Sequence, residues 1–425
     1  MRLCNFLLRS NVFGIMSQLN KSMSQLSTFS RHCAVCGSPR KRELFRQEFS
    51  GLSSESLLYG YFVVACSDCG FAYADQLPEQ KAFDAYYRNM SKYEQQHSRG
   101  DGAADLMRCQ STVDALTPFL TDPNTRILDI GCATGRILGL LKERGYLNVL
   151  GIDPSETCVR LAQELYGVKV LPYALSDMPD WRENFDVMLL VAVIEHFQHL
   201  HWLVERVGTI LAPQGLLLVE HPDVRRFTPQ ANGPFQEFST EHINFFSARS
   251  LQNLVQQHGF EALHSLQEDR PSVEGVREPS STSIFRKTGI KQEPVRDTET
   301  EPALRAYIAQ CQSIEVHIRT TIDRLVDTET PLIVWGAGTH TQRLMVTSRL
   351  PSAKITAFID SNPRYQGKQI NGISIVSPER LREMKEAILI SSRVWQRDIA
   401  KQIRASGYDN ELILLYPEQA GAVSS

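Results

Sequence analysis

RILDIGCATG, residues 126–135, is an apolar run that ends in a glycine turn. Ile127, Leu128 and Ile130 predict a buried strand, and Gly131 and Gly135 predict a tight turn at its carboxyl end. GRILGLLKERG, 135–145, continues with helical periodicity and stops at a glycine. Three more strand-like runs follow: NVLGIDPS (148–155), FDVMLLVAVIEHF (185–197) and GLLLVEHP (215–222). Strands alternating with helices predict an α/β fold, a doubly wound parallel sheet with its site at the strand carboxyl ends.

The turn departs from the dinucleotide fingerprint. An acid, Asp129, precedes the first glycine, and Ala133 stands between Gly131 and Gly135. A dinucleotide site brings a helix amino terminus close to a pyrophosphate. S-adenosylmethionine has no phosphate; it carries a sulfonium and an amino-acid end. A turn that admits close backbone approach, with a carboxylate for the ammonium, suits it. Asp153 ends the second strand, where an acid accepts both ribose hydroxyls. The ordered set points to a class I, Rossmann-like methyl-donor core. Its cofactor-binding candidates are Asp129, Gly131, Cys132, Gly135 and Asp153. A non-catalytic scaffold that only binds the donor would show damage in this loop, and all of these residues are present.

The bulk numbers bound the rest. A chain of 425 residues has room for two or three domains, and a net charge of −3 argues against a nucleic-acid-binding surface over the whole protein. No apolar run approaches the roughly 20 residues that span a bilayer. Of nine cysteines, four fall in two pairs, Cys33/Cys36 and Cys66/Cys69, around a strand-rich segment. Two such knuckles clip four thiolates onto one tetrahedral ion, a closed structural zinc site. The other reading is two redox pairs or free buried thiols. The remaining cysteines are scattered singly, which fits a reducing cytoplasm. From Met1 to Arg42 there is no acid, and the segment is rich in Ser with scattered basic residues. It reads as a transit peptide or as sequence upstream of a later start at Met16 or Met23.

The expected division is a tail over 1–30, a zinc-binding unit over 31–80, the methyltransferase core over 81–267, a linker and helix over 268–325, and a Rossmann-like unit over 326–425. Residues 268–300 read as a linker or flexible substrate cover with one short strand, STSIFRK (281–287). The last unit opens on PLIVWGAGTHT, and KITAFIDSNP follows. Gly338 precedes Asp360 by 22 positions, as Gly131 precedes Asp153, so a duplication is one reading. The turn serves as a nucleotide-sugar platform or is a degenerate unit that only packs; Thr341 occupies the third glycine position, and no NAD is expected.

Together these features resemble the three-domain sugar C-methyltransferases of deoxysugar biosynthesis. The resemblance rests on both cysteine knuckles, the donor core, the Glu241-His242 pair ahead of NFFS, and the VWGAG opening of the last unit. It implies a cytoplasmic enzyme that methylates carbon 3 of a thymidine-diphosphate-linked 4-keto-6-deoxysugar held between the second and third domains. The chemistry needs a base beside the carbonyl and a donor for the enolate oxygen. His242 suits either task because imidazole titrates near neutrality. Glu241 orients it or binds a substrate hydroxyl, and His196, in VIEHF, is the second candidate base or a pocket wall. One position departs from the family: where it has tyrosine in Tyr-His-Glu-His, this chain has Ser239. His242 then acts alone, or Tyr86 or Tyr87 supplies a hydroxyl, or the acceptor is an oxygen. Tyr86, in KAFDAYYRNM with Phe83, Tyr87 and Met90 at helical spacing, reads first as core packing and second as an aromatic cover for the cofactor.

Overall fold

A computed structural model describes residues 28–51, 57–89, 103–182, 184–227, 233–273 and 276–416. Residues 1–27 of the expected tail over 1–30, Met90 and the loop residues 228–232 lie outside them. The fold begins earlier than expected, because Phe29 pairs with Leu77 through an isolated bridge.

Strands β1 (Lys41–Glu48), β2 (Gly60–Cys66) and β3 (Ala72–Asp75) run antiparallel, and helix α1 (Gln80–Asn89) follows. The next stretch is α2 (Ala103–Leu116), β4 (Ile127–Ile130), α3 (Arg136–Glu143), β5 (Val149–Ile152), α4 (Glu156–Tyr166), β6 (Val170–Leu171), β7 (Phe185–Val191), α5 (Leu200–Ile210) and β8 (Leu211–His221). Then come β9 (Asn244–Phe245), α6 (Ala248–Gln256), β10 (Phe260–Val273) and β11 (Val276–Lys287). The long helix α7 (Thr300–Asp327) leads to β12 (Leu332–Trp335), α8 (Thr339–Thr347), β13 (Ile355–Ile359), β14 (Gln369–Ile370), β15 (Ile373–Val376), β16 (Ala387–Ile390), α9 (Gln396–Ala405) and β17 (Leu412–Leu414).

The central sheet has the order β10-β11-β8-β7-β4-β5-β6. Strands β4 to β8 are parallel, as their apolar runs required, and β10 and β11 add an antiparallel edge. The chain leaves β4 toward β5 and β6, then returns to its other side at β7. That reversal opens a crevice beyond the carboxyl ends of β4 and β7, where ligands sit in such sheets. A second, mostly parallel sheet runs β14-β15-β13-β12-β16-β17.

The amino-terminal sheet is completed from far away. Its order is β1-β2-β3-β9, so the short strand after His242 is its edge, with Ala72 opposite Phe245 and Tyr73 opposite Asn244. Cys33, Val35, Cys66, Phe71 and Tyr73 bury themselves in one cluster with Ile130, Leu190, Phe246 and Leu254 of the central layer. Removing that much apolar surface from water fuses the cysteine knuckles to the core.

The stretch expected as a linker is instead the β10–β11 hairpin, which joins β8 in register from Ser281 opposite His221 to Arg286 opposite Leu216. STSIFRK is a strand, but its partner was missed because the hairpin is rich in charged and hydroxyl residues. Several of those polar groups pair with one another inside, although the Ser280 and Ser281 hydroxyls have no hydrogen-bond partner among the described residues. Arg270, 3% exposed, bonds Glu220 and Glu268 at 2.7 Å each and donates to Thr112 at 3.1 Å and Thr282 at 2.9 Å. Arg270→Ala leaves the buried Glu220 with the neutral Thr112 hydroxyl at 2.6 Å and the more distant Arg108 guanidinium at 3.7 Å. A loss of about 3 kcal/mol is expected, read as a lower urea midpoint; an unchanged midpoint would place the hairpin outside the cooperative fold.

The 22-residue match between the halves does not survive in three dimensions. Gly131 and Gly336 each follow the first strand of their sheet, have φ of 68° and 107°, and donate 2.8 Å bonds to the carbonyls of Ile152 and Ile359. Gly336, not Gly338, is therefore the counterpart of Gly131, and the spacing to the acid differs by two residues. The acids do correspond. Asp153 accepts from the amides of Ala133 and Ser155 at 2.9 Å each, and Asp360 from those of Ala337 and Asn362 at 2.7 and 2.8 Å. Thr341 fills the third glycine position with a buried hydroxyl bonded to the Gly336 carbonyl at 2.6 Å and to Ser391 at 2.8 Å.

Candidate active site

The turn after β4 alternates left-handed residues: Gly131, Ala133 and Gly135 have φ of 68°, 49° and 76°. At Gly135 a Cβ would stand 2.7 Å from Val168, so glycine is needed there for packing as well as conformation. The side chains of Asp129 and Asp153 meet at this turn. Asp129 is 2% exposed, and its Oδ1 has no hydrogen-bond partner among the described residues. Burial pushes its carboxyl up to about 8, the nearby Asp153 adds to this, and Arg108 opposes it. Burial raises Asp153 to about 6 against the two amides it accepts from. A buried acceptor oxygen without a hydrogen-bond partner among the described residues, beside a turn open to close approach, fits the ammonium of the amino-acid end of S-adenosylmethionine. Asp153 retains lone pairs for ribose hydroxyls.

These shifts have a sign. An unfolded aspartate loses its proton near pH 4. The folded Asp129 keeps it to about 8. The ligand-free protein is therefore expected to lose stability as pH rises from about 4 to 8. A cationic donor favours the ionised carboxyl, so its affinity should rise over pH 6–8, up to tenfold per unit, with release of a proton near pH 7. Calorimetry in buffers of different ionisation enthalpy reads that proton, and Asp129→Asn should abolish it.

At the exit of β7 a short 3₁₀ turn, Ile194–His196, carries the second group of candidates. The loop 239–243 folds onto it. The Ile243 amide donates to the Glu195 carbonyl at 2.9 Å, and Asn244 donates to the carbonyls of Ile194 and Phe197 at 3.0 and 2.7 Å. Arg31 ties both segments to the amino-terminal sheet, donating to the Ile243 carbonyl at 3.2 Å, to Asn244 Oδ1 at 3.0 Å and to the Ala74 carbonyl at 3.0 Å. The result brings Glu241, His242 and His196 together. The His196 and His242 rings are 5.0 Å apart, and His196 Nδ1 is 3.0 Å from the Glu241 carbonyl.

Ser239 does not stand in for a phenol. Its hydroxyl accepts from the amides of Glu241 and His242 at 3.2 and 3.1 Å, which shapes the turn. The phenols come from α1: Tyr86 donates to Glu241 Oε1 at 3.0 Å, and the Tyr87 hydroxyl is 3.0 Å from His196 Nδ1. Tyr86 is half-buried: it packs against the same apolar cluster as Phe83 and carries its hydroxyl to Glu241.

The second Rossmann-like sheet reaches this cluster through the loop after β13, which sequence reasoning did not single out. Burial and the Glu241 charge push the Tyr86 phenol up, Tyr365 adds to this, and Arg364 opposes it. Burial, then Asp360 and Glu241, raise Tyr365 to about 12. Both phenols therefore stay neutral at physiological pH. Spacing alone carried no signal for Tyr365, because it depends on how two units dock.

The four cysteines converge as their spacing required. Cys33 and Cys69 sulfurs are 3.5 Å apart, as are those of Cys36 and Cys66, and all four lie within 4.8 Å of one another. Sulfurs bound at about 2.3 Å to one tetrahedral zinc are about 3.8 Å apart, so the set fits. Hydrogen bonds from Cys33 and Cys69 hold the Cys66 thiol far below its usual range, while Cys33 and Cys69 are pushed up by the same contacts. A cation at the centre resolves that conflict for all four. Gly70, φ 84°, closes the second knuckle, and a Cβ there would strike the Asp297 carbonyl at 1.9 Å.

A family model described as a methyltransferase domain matches residues 103–265, and one described as C2185-like, N-terminal, matches residues 329–414. The chain is similar to C-methyltransferase NovU of Streptomyces niveus, 23% identical over 338 residues, 76% of this chain and 77% of that enzyme. The ubiquinone biosynthesis O-methyltransferase of Bradyrhizobium diazoefficiens is 33% identical over 99 residues, 22% of this chain and 38% of that enzyme. Among solved structures, 1,6-didemethyltoxoflavin-N1-methyltransferase of Burkholderia thailandensis aligns with a TM-score of 0.40 at 19% identity, covering 52% of this chain and 96% of that one. The chain is an S-adenosylmethionine-dependent methyltransferase of the class I, Rossmann-like fold. Among its described residues no helix is long and apolar enough to cross a membrane.

Proposed function

We propose that this methyltransferase acts on a ring carbon beside the ketone of a nucleotide-linked 4-keto-deoxysugar. One observation carries the reading: Glu241, His242, His196 and two phenols of α1 converge at the exit of β7, within electrostatic reach of Tyr365 and Arg364 of the other sheet. The likeness to a C-methyltransferase over most of the chain supports it. In this reading Asp129, Gly131, Cys132, Gly135 and Asp153 hold the donor, and Cys33, Cys36, Cys66 and Cys69 hold a structural zinc. The chain works as a zinc-binding unit, a methyl-transfer core and a carboxy-terminal unit that approaches the same cluster.

One imidazole or the Glu241 carboxylate takes the proton beside the ketone, and an imidazole N–H donates to the enolate oxygen that results; Tyr86 donates to Glu241 in the same region. The carbon then bonds to the methyl group, and the carbon–sulfur bond breaks toward sulfur. A second reading, transfer to a hydroxyl, draws on Ser239 and on the O-methyltransferase likeness over 99 residues. The phenols of Tyr86 and Tyr87 weaken the first of those supports.

The test is calorimetry on protein loaded with S-adenosylhomocysteine, titrated with thymidine, uridine and guanosine diphosphates. Tight, base-selective binding is expected. No binding to any of them, with the cofactor product still held, would sink the nucleotide-sugar reading and leave O-methylation of a smaller acceptor.

A further inference from the structure

We infer that Glu195, His196 and His242 form a divalent-cation site, distinct from the four cysteines, whose open positions take an oxygen of the acceptor. The inference rests on the methyl-transfer reading of the same cluster and divides its labour. One ligand atom from each residue lies within 4.8 Å of the other two. Glu195 Oε1 and His196 Nε2 are 3.9 Å apart, too far for a hydrogen bond. Two ligands of one ion, each bound at about 2.1 Å, stand about 3–4 Å apart.

A second observation orients the imidazole for this task. His196 Nδ1 is 3.0 Å from both the Glu241 carbonyl and the Tyr87 hydroxyl, which leaves Nε2 as the ring nitrogen turned toward Glu195. Histidines that bind metals are held in this way, by a carbonyl or carboxylate on the far nitrogen. Glu195 is 1% exposed, so its carboxylate is held in the interior beside the two imidazoles. The ligands sit on two segments already stitched by the bond from the Ile243 amide to the Glu195 carbonyl.

Two imidazoles and one carboxylate, with positions left open, suit manganese, iron, cobalt or zinc. The acceptor class is one with adjacent oxygens, such as a hydroxyketone, that chelates the ion. Its carbonyl oxygen then keeps the electron pair released when the neighbouring C–H bond breaks, and the proton passes to Glu241. The enolate carbon forms the bond to the methyl group, and sulfur leaves with the carbon–sulfur pair.

The probes are Mn²⁺, followed by the loss of its free paramagnetic resonance signal, and Co²⁺, followed by its visible absorption. Both are added to protein that retains its cysteine-bound zinc. Thiolates do not favour Mn²⁺, so the cysteines are silent in this assay. One Mn²⁺ per chain is expected, with at least tenfold weaker binding in His242→Ala and Glu195→Gln. Both variants should hold S-adenosylhomocysteine as the parent does, which shows that they fold. No binding of either ion by the parent, or binding that both variants keep, overturns the inference. Methyl transfer to a keto sugar without any second metal leaves the functional reading standing and removes the site. Metal binding with no transfer to any keto sugar does the reverse.

Discussion

His242→Ala is expected to slow methyl transfer by about a hundredfold to ten-thousandfold, the range lost when a positioned acid or base is removed. Affinity for S-adenosylhomocysteine should stay within about twofold, because the donor turn at Gly131–Gly135 is built on β4, apart from the loop that carries His242. The argument is geometric. His242 faces His196 with ring centres 5.0 Å apart, at the carboxyl end of β7, next to the crevice where the donor lies. Tyr86→Phe removes one donor and leaves the ring packed, so a smaller loss is expected, with Glu241 still in place. Single-turnover rates measure both, since they separate chemistry from release. A His242→Ala enzyme with full single-turnover rate would take the histidine out of the chemistry and return Glu241-His242 to the status of a polar turn.

The donor core was legible because every signal in RILDIGCATG agrees: apolar strand, glycine turn, periodic helix, then an acid at the end of the next strand. Such local consistency survives tertiary context. The hairpin was illegible for the opposite reason. Arg270, Ser281, Thr282 and Ser283 are buried, so the usual equation of polar with exposed fails there. The candidate site was legible at Glu241, His242 and His196 as separate residues, but not as a constellation. Tyr86 and Tyr87 lie over a hundred positions from their partners, and only the docking of α1 against the β7 exit brings them together. Tyr365 depends on a further docking step. The comparison of the two glycine turns misled because counting residues assumes equal loop lengths, whereas the hydrogen bonds of Gly131 and Gly336 identify the true counterparts.

If the four cysteines hold zinc, as proposed, Cys66→Ser is expected to release it and, with it, the order of the loop that bears His242. The route is short. Cys66 ends β2, and Cys69 begins the turn into β3. β3 holds β9 as its edge, and the Ala74 amide donates to the Ile243 carbonyl at 2.9 Å. The Cys69 carbonyl also accepts from the Asp297 amide at 2.7 Å, and Asp297 caps the start of α7 through the amide of Thr300 at 3.0 Å. Structural zinc sites in small peptides are worth about 10–16 kcal/mol in apparent binding, and that energy is folding energy. Losing it removes an amount comparable with the whole stability margin of a typical domain, about 5–15 kcal/mol. Zinc content near zero, early thermal unfolding and fast amide exchange at Ile243–Phe245 are the expected results, and activity should fall below detection. The exchange measurement carries the claim, because it reads the loop directly. Slow exchange there in a zinc-free protein would show that β9 is held by Arg31 and Asn244 alone, and that the metal serves only its own knuckles. Full zinc-free stability with titratable thiol pairs would instead restore the redox reading of the two Cys-x-x-Cys motifs.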